Sequence, residues 1–410
     1  MNTLTSFPKE KLKILLLEGI HPTAVKIIKN AGYSHVDALP SSLSEKELLN
    51  CIGQYHLIGI RSKTNLTESV FKKADKLLAV GAFCIGTNQI NMSTAMKNGI
   101  AVFNSPFSNT RSVAELVIGL SIILMRKIYE KSAGVHNGLW LKESKNCYEV
   151  RGKTLGIIGY GHIGSQVSVM AESLGMKVIF YDVNSKLSLG NASPARSLDD
   201  LLKQSDIVTL HVPGTKDTKN LINAARLKKM KQGAILLNLS RGDVMETKAV
   251  KAAIISGQLG GLAVDVFPVE PKSNDELFSS ELQNLPNVIL TPHIGGSTME
   301  AQESIGIDVA EKLIQFTESG SSSGSLTIPD ISIPLLHNAH RILHIHHNVP
   351  GVLSQINGVL SKMKVNILGQ YLKTNAEIGY VALDIDKKSS PKVMNELKKV
   401  KNTIRTRSLY

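Results

Sequence analysis

Thr154-Leu155-Gly156-Ile157-Ile158-Gly159-Tyr160-Gly161-His162-Ile163-Gly164 is an apolar strand leading into a GxGxxG, which in turn opens an apolar helical pattern. The first glycine permits a tight turn, the second lets backbone approach a pyrophosphate, and the third allows close helix packing. The helix N-terminus adds N–H donors and a favourable dipole, so an anionic cofactor is expected here. Asp182 ends the next strand, Lys177 to Tyr181, eighteen residues beyond Gly164. An acid at that place accepts from adenosine ribose hydroxyls and repels a 2′-phosphate, which favours NAD over NADP. A glycine turn beside a solvated aspartate is the plain alternative. The order strand, motif, helix, strand, acid argues for NAD.

Outward from this unit, strand-like runs recur at Ile207 to Leu210, Ala234 to Leu237, Leu262 to Val264 and Val288 to Leu290, predicting a doubly wound parallel sheet. Upstream, Lys13 to Leu17, Leu57 to Ile60 and Leu78 to Gly81 alternate with helical patterns at His21 to Ala31, Glu68 to Ala74 and Met92 to Asn98, predicting a second such sheet. Ser108-Asn109-Thr110 offers caps before one long helix from Val113 to about Lys131, and another helix runs from Ser297 to about Phe316. Thr317 to Ser325, with five serines, reads as a flexible linker. The tail from Arg341 to Leu409 reads strand, helix, strand, strand, helix, strand, the ferredoxin-like βαββαβ order.

With 410 residues, 42% hydrophobic and 20% charged, the chain has the profile of an ordinary globular protein of two to four domains. Its three cysteines, Cys51, Cys84 and Cys147, support neither a disulfide framework nor a cysteine-based metal site, and a reducing cytoplasm fits best. No run is long enough for a membrane span or a signal-peptide core. The net charge of +13 raises the question of nucleic acid. Lys387 to Arg407 carries eight Lys or Arg against one acid, Glu396, but lacks interleaved aromatics. Val393, Leu397 and Val400 recur there at helical spacing, so a solvated helix face is expected, with neither nucleic acid nor membrane as partner.

Three polar residues lie at or near the ends of later strands, the edge that lines the ligand crevice of an open α/β sheet: Arg241, Glu270 and His293. A histidine can take a hydroxyl proton while hydride leaves for nicotinamide. A paired glutamate can hold its tautomer, and an arginine can clamp a carboxylate. Singly these read as a surface ion pair, a turn acid and a satisfied histidine. Together they describe a 2-hydroxy-acid oxidation site.

The glycine motif, Asn238-Leu239-Ser240-Arg241-Gly242, Asp265-Val266-Phe267-Pro268-Val269-Glu270-Pro271 and Thr291-Pro292-His293-Ile294-Gly295-Gly296 resemble the D-isomer-specific 2-hydroxyacid dehydrogenases. So do Phe83 to Gln89, Ser105 to Glu115 and the closing Leu409-Tyr410, and the resemblance runs essentially end to end. It implies His293 as acid/base, Glu270 as its partner and Arg241 as carboxylate anchor. It implies cofactor contacts from Gly159, Gly161, His162, Ile163, Gly164, Asp182, Leu239, Ser240, Asp265, Gly295 and Gly296, with Asp265 on the nicotinamide side. It also implies two Rossmann-like domains and a C-terminal ACT domain: a discontinuous substrate domain of 1–107 with 297–336, an NAD domain of 108–296, and a regulatory domain of 337–410.

For a phosphorylated 2-hydroxy acid, the resemblance points to Arg61, Lys63, Asn109 and Trp140. The family usually has a second arginine where Lys63 stands; an ammonium neutralises phosphate without the planar fork. Trp140, the sole tryptophan, sits in polar surroundings and is expected at a subunit contact; the resemblance implies that the contact belongs to a homotetramer. His344, His346 and His347 invite a metal reading, but no acid or cysteine lies near in sequence, and no metal is expected. Instead the resemblance implies L-serine as effector, held at a dimer interface by His346, Asn348 and Asn366. Two adjacent glycines usual at the hinge before this domain are Asn338 and Ala339 here, while Gly295-Gly296 offers another hinge. The rivals are a dehydrogenase for another D-2-hydroxy acid such as 2-hydroxyglutarate, and an NAD-sensing regulator without catalysis.

Overall fold

The computed structural model describes residues 8–271, 276–334, 339–386 and 390–409. It is α/β and divides into two compact units, one of residues 1–108 with 302–410, the other of 109–301.

In the first unit, β1 (Lys13–Leu16), β2 (His35–Ala38), β3 (Leu57–Ile60), β4 (Ala79–Ala82) and β5 (Ala101–Asn104) form a parallel sheet in the order β2-β1-β3-β4-β5. Strands β3, β4 and β5 are buried along their whole length, the continuous apolar runs expected of a sheet covered by helices. Helix Glu45–Cys51, unforeseen in the sequence, opens on a full capping box: Ser44 Oγ accepts from the Glu47 amide, and the Glu47 carboxylate accepts from the Ser44 amide. β2 escaped notice because its side chains are largely exposed and carry no apolar run.

Among the described residues the second unit holds seven parallel strands: β6 (Thr154–Ile158), β7 (Lys177–Tyr181), β8 (Ser193–Pro194), β9 (Ile207–Leu210), β10 (Ala234–Asn238), β11 (Leu259–Val264) and β12 (Val288–Leu290). Their order is β12-β11-β10-β9-β6-β7-β8, so the winding reverses between β9 and β6. A crevice forms outside the strand ends at such a switch point. The long helix expected from Val113 is two helices, Thr110–Met125 and Ile128–His136, parted by Lys127 at φ 51°. The carbonyl of Met125 accepts from the Tyr148 amide at 2.8 Å, so the returning chain takes a bond that a continuous helix would have used.

The tail forms β13 (His340–His347), β14 (Ile367–Thr374), β15 (Ile378–Ile385) and β16 (Thr403–Leu409), antiparallel in the order β14-β15-β13-β16, with helices Val352–Lys362 and Ser390–Leu397. One face of β13 and β15 packs Ile342, Val381, Leu383 and Ile385 against Val352, Ile356, Val393 and Leu397. The other face joins Leu343, Ile345, Tyr380 and Ala382 to the same core as Ile14, Phe103, Val309 and Leu313. Arg341 and Asp384, fully buried there, make a bidentate pair at 2.7 Å, and Arg341 Nη1 also donates to the Ser319 carbonyl.

The serine-rich stretch is therefore not a solvated linker. Ser321 and Ser322 are buried, Ser322 Oγ donates to the Pro329 carbonyl at 2.6 Å, and Leu326 N donates to Val102 O, laying the segment along β5. Serine hydroxyls satisfy the backbone that a bare linker would leave to water. The basic tail has structural work too: Arg405 donates to the carbonyls of Asp75 and Leu77, and Arg407 to that of Phe316. Lys392, Lys398, Lys399 and Lys401 form the exposed face of the last helical stretch. Ala339 is buried; Asn338, Lys387 and Tyr410 lie outside the described residues. Among the described residues no helix is long and apolar enough to cross a membrane.

Candidate active site

The glycine turn sits at the switch point. Gly159 has φ 92°, and a Cβ there would lie 2.3 Å from the carbonyl oxygen of His211, which follows β9. At Gly164 a Cβ would lie 2.2 Å from Gly159 O, so only glycine lets helix His162–Ser173 sit this close to β6. Around Gly161, by contrast, a Cβ would meet nothing within 4 Å. The first and third glycines are consumed by packing, while the second faces open space of the kind a pyrophosphate needs. Tyr160 locks the turn by stacking on Phe180 at 3.8 Å and pairing its hydroxyl with Ser168 at 2.7 Å. Asp182 Oδ2 accepts from the Tyr160 amide at 2.8 Å, so the acid meant for the ribose also fixes the glycine loop. The residues thus fit NAD.

His293, Glu270 and Arg241 come together in this unit. His293 Nδ1 lies 2.8 Å from Glu270 Oε2, and Glu270 Oε1 accepts from the Phe267 amide at 2.9 Å. The bond to Glu270 raises the His293 pKa above its ordinary value; burial opposes it, and the charges of Glu270 and Asp265 add to it. For Glu270, burial alone would raise the pKa, but the bonds from His293 and the Phe267 amide outweigh it, and the result is a lowered value. The Arg241 charge acts on both groups. With Nδ1 engaged, Nε2 is the nitrogen free to exchange a proton with a ligand.

Two polar residues that sequence reading overlooked or underused hold these loops. Asp265, 1% exposed at the end of β11, accepts at Oδ1 from Thr291 Oγ1 (2.5 Å) and the Ile294 amide (2.8 Å), and at Oδ2 from the Gly295 amide (2.8 Å). It therefore grips both sides of His293, which itself sits at φ 54°. Asn238, buried at the end of β10, accepts from Ser240 N and Oγ and donates to the Arg241 carbonyl, folding Leu239-Ser240-Arg241 back over the strand end. At Gly242 a Cβ would lie 2.0 Å from the Phe267 carbonyl carbon, so the arginine turn and the glutamate loop touch through backbone. His211 was also missed: burial lowers its pKa to about 3, and its Nε2 meets Thr209 Oγ1 at 2.9 Å.

The remaining expected residues are more dispersed. Asn109 packs its amide against Gly296, where a Cβ would lie 2.1 Å from Nδ2. Trp140 is 80% exposed, among exposed Tyr129, Val135, Leu139 and Leu141. In the other unit, Arg61 and Lys63 share the loop after β3. His346 is buried beside His344, their rings 5.4 Å apart, and burial lowers its pKa. Asn348 donates to the Asn375 carbonyl at 2.7 Å. His346 pairs with Gly379, whereas Ile367, next to Asn366, pairs with Ile385. The two pairings lie six positions apart on β15, about 20 Å at the rise of a strand. One chain does not bring His346 and Asn366 together. Among the described residues no group of three His, Cys, Asp or Glu is placed to hold a metal.

Residues 118–295 match the family model of the D-isomer specific 2-hydroxyacid dehydrogenase NAD binding domain, and residues 342–405 match that of an AHAS small subunit-like ACT domain. The chain is 50% identical over 410 residues, all of both chains, to D-3-phosphoglycerate dehydrogenase of Haemophilus influenzae, and 49% identical over 99% of both to that of Escherichia coli. Among solved structures, a D-2-hydroxyisocaproate dehydrogenase superposes with TM-score 0.70 at 27% identity, covering 77% of this chain and 100% of that one. A D-lactate dehydrogenase of Aquifex aeolicus, complexed with NAD and lactic acid, gives 0.66 at 28%, covering 78% and 100%. With its switch-point glycine turn and its histidine–glutamate pair, the chain belongs to the D-isomer-specific 2-hydroxyacid dehydrogenase family and is an NAD-dependent dehydrogenase.

Proposed function

We propose that the protein oxidises D-3-phosphoglycerate to 3-phosphohydroxypyruvate, the entry to phosphorylated serine synthesis. The observation that carries the chemistry is the His293–Glu270 bond within reach of the Arg241 charge; the substrate is supported by full-length relatives that bear that activity in their names. NAD, when bound, supplies the hydride acceptor. Arg241 binds the substrate carboxylate and presents the carbon bearing the hydroxyl. His293 Nε2 takes the hydroxyl proton as C2 gives up its hydride, and the Glu270 carboxylate stabilises the imidazolium so formed. Asp182 and Gly161 seat the cofactor, and Gly159, His162, Ile163, Gly164, Leu239, Ser240, Gly295 and Gly296 line its surroundings. Arg61 and Lys63 meet the phosphate, with Asn109 and Trp140 at the substrate's margin.

In the same reading, residues 1–107 with 297–336 form the substrate domain, 108–296 the NAD domain and 337–410 the regulatory domain of a cytoplasmic homotetramer. Exposed Trp140 supports a subunit contact there. L-serine is the effector, seated between two ACT domains, and the placing of His346, Asn348 and Asn366 at opposite ends of one sheet supports a site shared by two chains. The test is NADH formation with D-3-phosphoglycerate and with D-2-hydroxyglutarate, each with and without L-serine. The reading expects the phosphorylated substrate to be preferred and serine to inhibit. Preference for the dicarboxylate would assign the rival substrate, and indifference to serine would remove the effector.

A further inference from the structure

Glu18 belongs to none of the groups above, yet its surroundings are those of a built site. It lies two residues beyond β1, is 8% exposed, and has φ 65°, a left-handed conformation that costs a non-glycine residue energy and persists where its surroundings enforce it. Main-chain bonds enforce it: Glu18 N donates to Ser41 O and Gly19 N to Leu39 O, both at 3.0 Å. The side chain crosses to the loop after β3. Oε1 accepts from the amides of Arg61 (3.1 Å) and Thr64 (2.8 Å), and Oε2 from that of Lys63 (2.9 Å). The Glu18 carbonyl faces Arg61 Nη1 at 3.4 Å, and Gln89 Nε2 donates to the Arg61 carbonyl from the other side.

A hydroxyl or amide side chain could not satisfy three converging N–H donors through two oxygens; a carboxylate can. The internal anion occupies the amides of the loop, so an external anion meets the side chains of Arg61 and Lys63 rather than the backbone. We propose that Glu18 is a positioning residue for the distal-anion subsite, its carboxylate fixing the backbone from which Arg61 and Lys63 extend. This rests on the reading that those two residues meet the substrate phosphate.

The test is steady-state NADH formation by the full chain with Glu18→Gln, with the Arg61→Ala, Lys63→Ala double variant, and with all three changes combined. Glutamine keeps the shape but has one acceptor oxygen, so at least one amide loses its partner. Expected is a rise of about tenfold in the KM for D-3-phosphoglycerate, the scale of one lost charge-assisted bond, with kcat and the KM for NAD near those of the native protein. In the background lacking both cations the Glu18→Gln increment should vanish. An unaltered KM in Glu18→Gln beside a raised one in the double variant would overturn the assignment of Glu18. An unaltered KM in the double variant would instead remove the subsite reading, and the proposal with it. Parallel losses in kcat, both KM values and Tm would make Glu18 merely structural and likewise overturn it. Should Glu18→Gln not fold, Glu18→Asp, which keeps the charge and withdraws the oxygens by one methylene, must show the same selective rise.

Discussion

His293 is held in three ways: by Glu270 at Nδ1, by its own left-handed backbone, and by Asp265 across Thr291, Ile294 and Gly295. The raised pKa that follows from the glutamate bond has a definite kinetic sign. In the proposed oxidation the imidazole must start neutral, so activity should fall as pH drops through a value above the ordinary histidine 6.5. Glu270→Gln removes the bond and the charge that raise it, and the acid limb of the kcat/KM profile should then move to lower pH, with a lower plateau because the imidazolium loses its counter-charge. A limb that stays in place would separate Glu270 from His293. The sequence carried His293, Glu270 and Arg241 because each stands near a strand end. It could not show that Asp265 spends both oxygens on the histidine loop, or that Glu18 serves the arginine loop, since such bonds join positions 26 to 46 residues apart.

Among the elements, the three glycines of the cofactor turn make separable predictions. Gly161 has φ −89° and open space around a Cβ. Gly161→Ala should fold with an unaltered Tm yet bind NAD much more weakly, because the methyl enters the pyrophosphate's room. Gly164→Ala should cost stability outright, about 1–3 kcal/mol as overpacking does, because its Cβ would meet Gly159 O at 2.2 Å. Thermal unfolding and cofactor titration of the two variants check this; equal Tm values would contradict the division of roles. Strands β6, β7 and β12 were legible to the residue because their apolar runs give way to Gly159, Asp182 and Thr291-Pro292. The break at Lys127 was not, because Met125-Arg126-Lys127-Ile128 holds neither glycine nor proline and the cause is a distant amide, that of Tyr148.

At the level of the whole molecule, the tail is less separable than its serine-rich approach suggests. Leu343, Ile345, Ile378, Tyr380 and Leu409 belong to the same core as the N-terminal sheet, each contributing about 1.5–3 kcal/mol by burial. Their sum rivals the about 5–15 kcal/mol net stability of a typical protein. Truncation after Ile333 should therefore aggregate or lower Tm sharply, where a domain on a free tether would be shed without loss; a soluble truncated protein of unaltered Tm would contradict this. The three sheets were legible in the sequence, but not that one side of the tail sheet is committed to the rest of its unit, since Ile342 on one face of β13 and Leu343 and Ile345 on the other do not say what covers them.

In the proposed reaction His293 exchanges the proton of a D-2-hydroxy acid while NAD takes its hydride. The most direct test of this role compares NADH formation from D-3-phosphoglycerate by the native protein and by His293→Ala, with NAD binding measured in both. His293→Ala should lower kcat by at least about 10²-fold with NAD affinity unchanged. Turnover within a few-fold of native, with NAD still bound, would contradict it.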